Sequence, residues 1–330
     1  MHRKSFRLSP SAFRITVAAV LSLASAAAAA QAYPVKPVRI VVGFAPGGTI
    51  DTVARIMAAA LGEQWGISAV VENRPGAAGS VGTEYAAKAA PDGYTLLLCH
   101  IASHAITPAR SRKPTYDHIN DFSFPSMIGS VPNVFMVHPS VPTKTLRDYI
   151  ALAKANPGKI NFGSSGVGAS PHMSVELFKL MAGINIVHVP YKGAAHALGD
   201  AISGHIESSV GNLGGAPLAA IRAGRVRALG VTSAKRNAQA PDVPTFAEAG
   251  VPGYEVTSWN GICAPAGLPK PVLAKLNADI VKALQGPARK RLEDQGIEVT
   301  PSTPEEFLAH IRSETAKWTR VVKETGLEER

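Results

Sequence analysis

Apolar residues in this chain fall into short runs that end at glycine or proline, and a helical rhythm follows most of them. Val38-Arg39-Ile40-Val41-Val42 is a β-rich run closed by Pro46-Gly47-Gly48. Ile50, Val53, Ala54, Met57 and Leu61 then recur at the i, i+3, i+4 spacing of one buried helix face. A second strand is expected at 69–71, ahead of Asn73-Arg74-Pro75-Gly76 and a glycine-rich stretch that reaches Gly82. Pro91-Asp92-Gly93 reads as a turn and 94–98 as a strand. Strands alternating with helices predict an α/β protein with a parallel sheet covered on both faces.

The rhythm then starts again. Strands are expected at 134–137, 159–162, 187–189 and 225–232. Thr145 with Asp148 three residues on caps a helix that Asn156-Pro157-Gly158 stops. Ser170-Pro171 opens another helix, carrying Val175, Leu177, Phe178 and Met181. The C-terminal stretch is helical: 271–284 is amphipathic, and Thr303-Pro304-Glu305-Glu306 is a capping box with proline at the first helical position. The helix it opens buries Phe307, Leu308, Ile311, Trp318 and Val322. With no repeat and no flexible linker, two α/β units point to lobes joined by crossing strands. The expected division is 33–131 plus 257–330 in one lobe and 132–256 in the other.

Charge changes the picture at the N-terminus. Arg3, Lys4, Arg7 and Arg14 precede an apolar, Ala-rich run from Ile15 to Ala30, and Ala30-Gln31-Ala32 supplies the small residues of a cleavage site. That layout is a secretory signal peptide over 1–32, with Tyr33 as the mature N-terminus and the periplasm as destination. Four of the +10 net charges sit in this leader, leaving +6 on the mature chain. The basic residues are scattered and carry no interleaved aromatic platform, which argues against nucleic acid and leaves anionic solutes open. Cys99 and Cys263 are the only cysteines. An oxidising compartment permits their pairing, and two buried free thiols fit the sequence equally well.

Two segments share one design. The run 38–42 feeds Gly43-Phe44-Ala45-Pro46-Gly47-Gly48-Thr49-Ile50-Asp51 and then a helix; 159–162 feeds Gly163-Ser164-Ser165-Gly166-Val167-Gly168-Ala169-Ser170 and then a helix. A helix start has unpaired N–H groups and a partial positive charge, so it attracts an anion. Glycines let the backbone come close, and Thr49, Ser164, Ser165 and Ser170 add hydroxyl donors. Neither loop has the Gly-Lys-Ser/Thr of a phosphate-binding P-loop, and Gly166-Val167-Gly168 lacks the third glycine of a dinucleotide fingerprint. Asp51 would repel a phosphate dianion, so a carboxylate fits better. Ordinary strand-to-helix turns punctuated by Gly and Ser also produce such segments.

At these residues the chain resembles the periplasmic substrate-binding component of tripartite tricarboxylate transporters, the Bug-type receptors. The blocks that carry the resemblance run through the mature sequence: Tyr33-Pro34, Pro46-Gly47-Gly48 with Asp51, Asn73-Arg74-Pro75-Gly76-Ala77, Pro91-Asp92-Gly93-Tyr94-Thr95, Ser165-Gly166-Val167-Gly168 with His172, Val189-Pro190-Tyr191-Lys192-Gly193, Pro241-Asp242-Val243-Pro244-Thr245 and Ala264-Pro265-Ala266-Gly267. The resemblance implies a two-lobed type II periplasmic binding fold, each lobe a sheet flanked by helices, closing on ligand like a flytrap. It implies a monomeric receptor for a small organic acid anion, without catalytic residues, cofactor or metal. Membrane permease subunits or a sensor kinase would be its partners. Phe44, Ala45, Gly48, Thr49 and Asp51 would line one wall of the cleft, and Ser164, Ser165, Ala169, Ser170 and His172 the other, with Tyr191 and Lys192 near the far end of the ligand. His100-Ile101-Ala102-Ser103-His104 departs from the family's usual residues, as does Gly211, which stands where an acidic residue often precedes the Asn (Asn212 here), and both segments are candidates to face the cleft.

Two other chemistries are weaker. His100 and His104 have the i, i+4 spacing of a metal pair but no following glutamate, and their segment reads as a strand end. Ser165 as a hydrolase nucleophile lacks the G-x-S-x-G elbow and any base placed by spacing.

Overall fold

The computed structural model describes residues 33–328, so the leader expected at 1–32 lies outside the described residues. Strand β1 (Val38–Val42) shows why the architecture is layered. Ile40 and Val42 enter one core with Val53, Met57 and Leu61, while Val41 enters a second core with Leu97, Phe307 and Trp318. Successive strand side chains point to opposite faces, so a strand apolar on both must lie between two helical layers. Helix α1 (Thr49–Trp65) covers one face with its apolar stripe; it starts after an extended Gly48 and ends at a left-handed Gly66. Each fully buried aliphatic side chain in such a core contributes about 1.5–3 kcal/mol.

The chain continues through β2 (Ala69–Asn73), α2 (Ser80–Ala87), β3 (Thr95–His100), a short π-helical turn (Ala102–Ile106), α3 (Thr107–Arg110) and the long strand β4 (Phe122–Val137). Then follow α4 (Leu146–Ala155), β5 (Asn161–Ser164), α5 (Ser170–Ala182), β6 (Val187–Pro190), α6 (Ala194–Ile202), β7 (Ser208–Asn212), α7 (Gly215–Arg222) and β8 (Arg227–Val231). Strand β9 (Thr257–Pro265), helices α8 (Lys270–Gln285) and α9 (Pro287–Glu293), the short β10 (Glu298–Val299) and helix α10 (Pro304–Thr325) complete it. Both capping boxes expected from sequence form, at Thr145 with Asp148 and at Thr303 with Glu306.

The strands run in the order β2-β1-β3-β9-β4-β7-β5-β6, with β8 and β10 both pairing β4. The expectation of a parallel sheet needs correction, because the sheet is mixed. β1 is parallel to β2 and β3, and β5 to β6 and β7, but β9 and β4 run antiparallel to their neighbours. The cause is the crossing: β4 pairs with β9 between Phe122 and Pro132, then with β7 and β8 from Asn133 onward. One strand thus belongs to both halves, and β9 returns beside it from Thr257. Boundaries also move: the strand expected at 159–162 is Asn161–Ser164, which puts Ser164 at a strand end rather than in the loop.

Cys99 and Cys263 form a disulfide, with Cα atoms 5.8 Å apart. The ladder of β3 and β9 explains the meeting, since Leu97 pairs with Cys263 and Cys99 with Gly261. Both cysteines are fully buried. The bond ties two strands separated by 164 residues.

Candidate ligand-binding loops

Loop 1 leaves the C-terminal end of β1 and enters α1. Its shape is held by Asp51, which is buried to 3% exposure at the third position of the helix. Asp51 Oδ2 accepts from Gly47 N–H at 3.0 Å and from Arg55 Nε at 2.9 Å, while Oδ1 accepts from Asn73 Nδ2 at 2.9 Å. Asn73 Nδ2 also reaches the Phe44 carbonyl at 3.0 Å. Burial pushes the Asp51 carboxyl up, but the hydrogen bonds from Arg55, Gly47 and Asn73 outweigh it and hold the group below the usual range. The carboxylate therefore builds the loop from inside. Ala45, Gly47 and Gly48 are left exposed and Phe44 and Thr49 half-buried. Thr49 Oγ1 is not engaged by any described residue, and the first N–H groups of α1 have no partner within the helix.

Loop 2 leaves β5 and enters α5, and its supports lie behind it. Ser164 is fully buried, its Oγ 2.7 Å from His188 Nε2 and 3.3 Å from Gly166 N. Gly168 N–H donates to His172 Nδ1 at 3.2 Å, and the His172 ring stacks on His188 with centroids 3.9 Å apart. Ser170 Oγ accepts from Asn133 Nδ2 at 3.2 Å, and Asn133 Oδ1 accepts from Asn212 Nδ2 at 2.9 Å. These contacts fasten the start of α5 to β4 and β7. Ser165 stays half-buried with its hydroxyl free of described partners, and Ala169 closes the turn.

A turn that sequence reasoning quoted but did not place in the site stands between the two loops. Residues Ala77–Gly79 form one 3-10 turn in which Ala77 and Ala78 take φ of 45° and 53°, a region that costs a non-glycine residue energy. The Phe44 ring covers Gly79, its atoms 3.1 Å from where a side chain there would begin. Ala78 lies 3.7 Å from the corresponding point on Gly168, and the Arg110 guanidinium stands closer still. A Cβ on Gly43 would fall 2.6 Å from the Gly79 carbonyl oxygen, so loop 1 and this turn touch backbone to backbone. A groove of about 400 Å³ runs from Val167 of loop 2 past Ala77, Ala78, Arg110 and Tyr116. A second groove, of about 540 Å³, lies along Lys36, Arg39, Val70 and Glu72 at the opposite end of β1, away from both loops.

Of the ten residues expected to line the cleft, Phe44, Ala45, Gly48, Thr49, Ser165 and Ala169 stand on the two loops with no side-chain hydrogen bond within the described residues. Asp51, Ser164, Ser170 and His172 have their polar side-chain atoms committed to loop structure. His188 and Asn133 were missed, since they hold loop 2 from strands distant in sequence, and Asn212, marked by its segment in the sequence, acts through Asn133. Tyr191 donates its hydroxyl to Asp200 at 2.7 Å, and Lys192 is exposed. His100 and His104 are buried and separately engaged: His100 Nε2 lies 2.8 Å from Ser258 Oγ and His104 Nδ1 lies 2.9 Å from Ser103 Oγ. Burial depresses both imidazoles to about 3. Ser165, weighed as a nucleophile, makes no hydrogen bond to an imidazole among the described residues.

The two loops are thus paired strand-to-helix turns that offer backbone amides and free hydroxyls, held from behind by the Asp51–Arg55 pair in loop 1 and by Ser164, His172 and His188 in loop 2. Among the described residues no helix is long and apolar enough to cross a membrane. BugT of Bordetella pertussis is 37% identical over 305 residues, covering 92% of this chain and 93% of that protein. A solved R. palustris protein with adipate superimposes with a TM-score of 0.83 at 37% identity, covering 89% of this chain and 98% of that one. MatC from Rhodopseudomonas palustris, with bound malate, gives 0.81 at 32% identity, covering 88% of this chain and 100% of that one. The fold is the two-lobed periplasmic binding fold shared with the solved periplasmic binding protein BugD, 33% identical with a TM-score of 0.83 over 90% of this chain and 100% of that one. Residues 53–327 match the tripartite tricarboxylate transporter family receptor, and the chain belongs to that family of Bug-type solute-binding receptors.

Proposed function

We propose that this chain is an extracytoplasmic receptor that captures a small organic dicarboxylate between loops 1 and 2 and delivers it to permease subunits of a tripartite tricarboxylate-type transporter. The observation that carries the reading is the pairing of two glycine-rich loops, each at a strand end and a helix start, on either side of the turn Ala77–Gly79. One carboxylate accepts hydrogen bonds from the amides and hydroxyls around Gly48–Thr49 and Ser165–Ala169. Charge-assisted bonds of this kind are the stronger ones. Phe44 and Ala45 close one wall, while Asp51, Ser164, Ser170 and His172 hold the loops in shape. Adipate and malate in the related structures make the short dicarboxylates the leading ligand class.

The lobes are 33–131 with 257–330, and 132–256, hinged where β4 passes Pro132–Asn133 and the chain re-enters at Thr257. A receptor with this layout serves as a monomer, exported by the leader and cleaved before Tyr33. Calorimetric titration of the chain starting at Tyr33 with malate, adipate, a monocarboxylate and an aromatic acid tests the reading. Saturable one-to-one binding of a dicarboxylate is expected. At a hundredfold excess over Kd it adds about 2.7 kcal/mol of stability and raises the melting temperature. If no acid binds or shifts the melt, the carboxylate reading fails.

A further inference from the structure

Loop 2 rests on two imidazoles, one holding each end of its turn. His188 reaches the β5 end through Ser164, whose Oγ also accepts from Gly166 N–H. His172 reaches the helix end, where its Nδ1 accepts the Gly168 N–H. A backbone N–H can only donate, so Nδ1 must carry a lone pair and the ring must be neutral with its proton on Nε2. That Nε2 faces Glu176 Oε1 at 3.6 Å. The rings stack on each other, and Phe162 stacks on His188 at 4.9 Å, so none can rotate without disturbing the next.

We propose that His172 and His188 are positioning residues of the clamp: as a neutral stacked pair they take up the Gly168 N–H and, through Ser164, the Gly166 N–H. That sets the turn so that the Ser165 and Val167 amides, with no acceptor among the described residues, face a carboxylate. This rests on the carboxylate reading of the site and adds what controls its second loop. The charges facing the pair are Glu176 and Lys179 on α5 and Arg110 on α3, the last two opposing protonation along with burial. Burial first, then His188, Arg110 and Lys179, hold His172 at about 3; burial first, then Lys179, holds His188 at about 4. The sign follows: the turn is intact at neutral pH and loosens as pH falls towards those values. A proton on His172 Nδ1 then opposes the Gly168 N–H, and protonation of His188 places two like charges in contact.

The test compares four variants by amide hydrogen exchange at Gly166 and Gly168 and by malate affinity at pH 7. His188→Phe and His172→Phe keep the stacked rings and remove the hydrogen bonds. His188→Gln places an amide near the Nε2 position, and His172→Asn places an acceptor near Nδ1. Loss of one such bond predicts about tenfold faster exchange in the turn and about tenfold weaker binding for the Phe variants, with recovery in the Gln and Asn variants. In the wild type, Gly168 protection should fall between pH 7 and about 4, and in His172→Asn this dependence should shrink to the part that His188 contributes. Unchanged exchange in the Phe variants overturns the proposal, as does a loss of affinity with the turn's exchange unaltered. If the wild type binds no acid, the carboxylate reading is what fails, and the exchange data still decide the role of the histidines.

Discussion

Asp51 shows how a residue chosen for one role can occupy another. Its position at a helix start beside a glycine turn makes it a candidate for the proposed site, and that candidacy is legible in Pro46-Gly47-Gly48 followed by Asp51. Which way the carboxylate faces depends on Asn73, 22 residues on, and no local pattern encodes that. The same limit hid His188 and Asn133, which reach Ser164 and Ser170 from β6 and β4. Asp51→Ala leaves the Gly47 N–H and the Arg55 Nε–H without this acceptor, and leaves the Asn73 amide only the Phe44 carbonyl. It should lower unfolding free energy by about 1–3 kcal/mol in chemical denaturation, with Asp51→Asn milder. An alanine variant as stable as wild type would show that loop 1 does not depend on this carboxylate.

At the scale of elements, the sequence pattern located the five longest helices, α1, α4, α5, α8 and α10, and the strands with continuous β-branched runs, but not the shorter helices. Val38–Val42 is such a run, and its neighbours at 69–71 and 94–98 were recovered within a few residues. Strand β4 was seen only in its last four residues, because Pro125, Gly129 and Pro132 punctuate the rest. β7 and β9 carry Ser, Asn and Gly where alternation is expected, so they gave no signal. Missing β9 removed the antiparallel partner that makes the sheet mixed. The contact of loop 1 with the turn at Ala77–Gly79 is likewise an element-level fact, fixed by Gly43 and Gly82 meeting backbone to backbone. Gly43→Ala would drive its Cβ to 2.6 Å from the Gly79 carbonyl oxygen. Overpacking of this kind costs about 1–3 kcal/mol, and here it should also weaken dicarboxylate binding, because neither loop 1 nor the turn can keep its place. Titration calorimetry on the folded variant reads the second effect, and an unchanged Kd would detach the turn from the site.

Across the whole molecule, β4 and β9 bind the two halves together, and the disulfide fixes β9 to β3 just behind His100. The family blocks spread along the mature chain pointed to this architecture, whereas periodicity alone led to a parallel sheet. The central claim is that one carboxylate sits between the two loops, held from both sides. A crystal structure grown with a dicarboxylate of the proposed class tests it most directly. The account predicts one carboxylate group within hydrogen-bonding distance of N–H or hydroxyl donors from both Gly48–Thr49 and Ser165–Ala169. A ligand held by one loop only, or lodged in the groove beside Lys36 and Glu72, would contradict it.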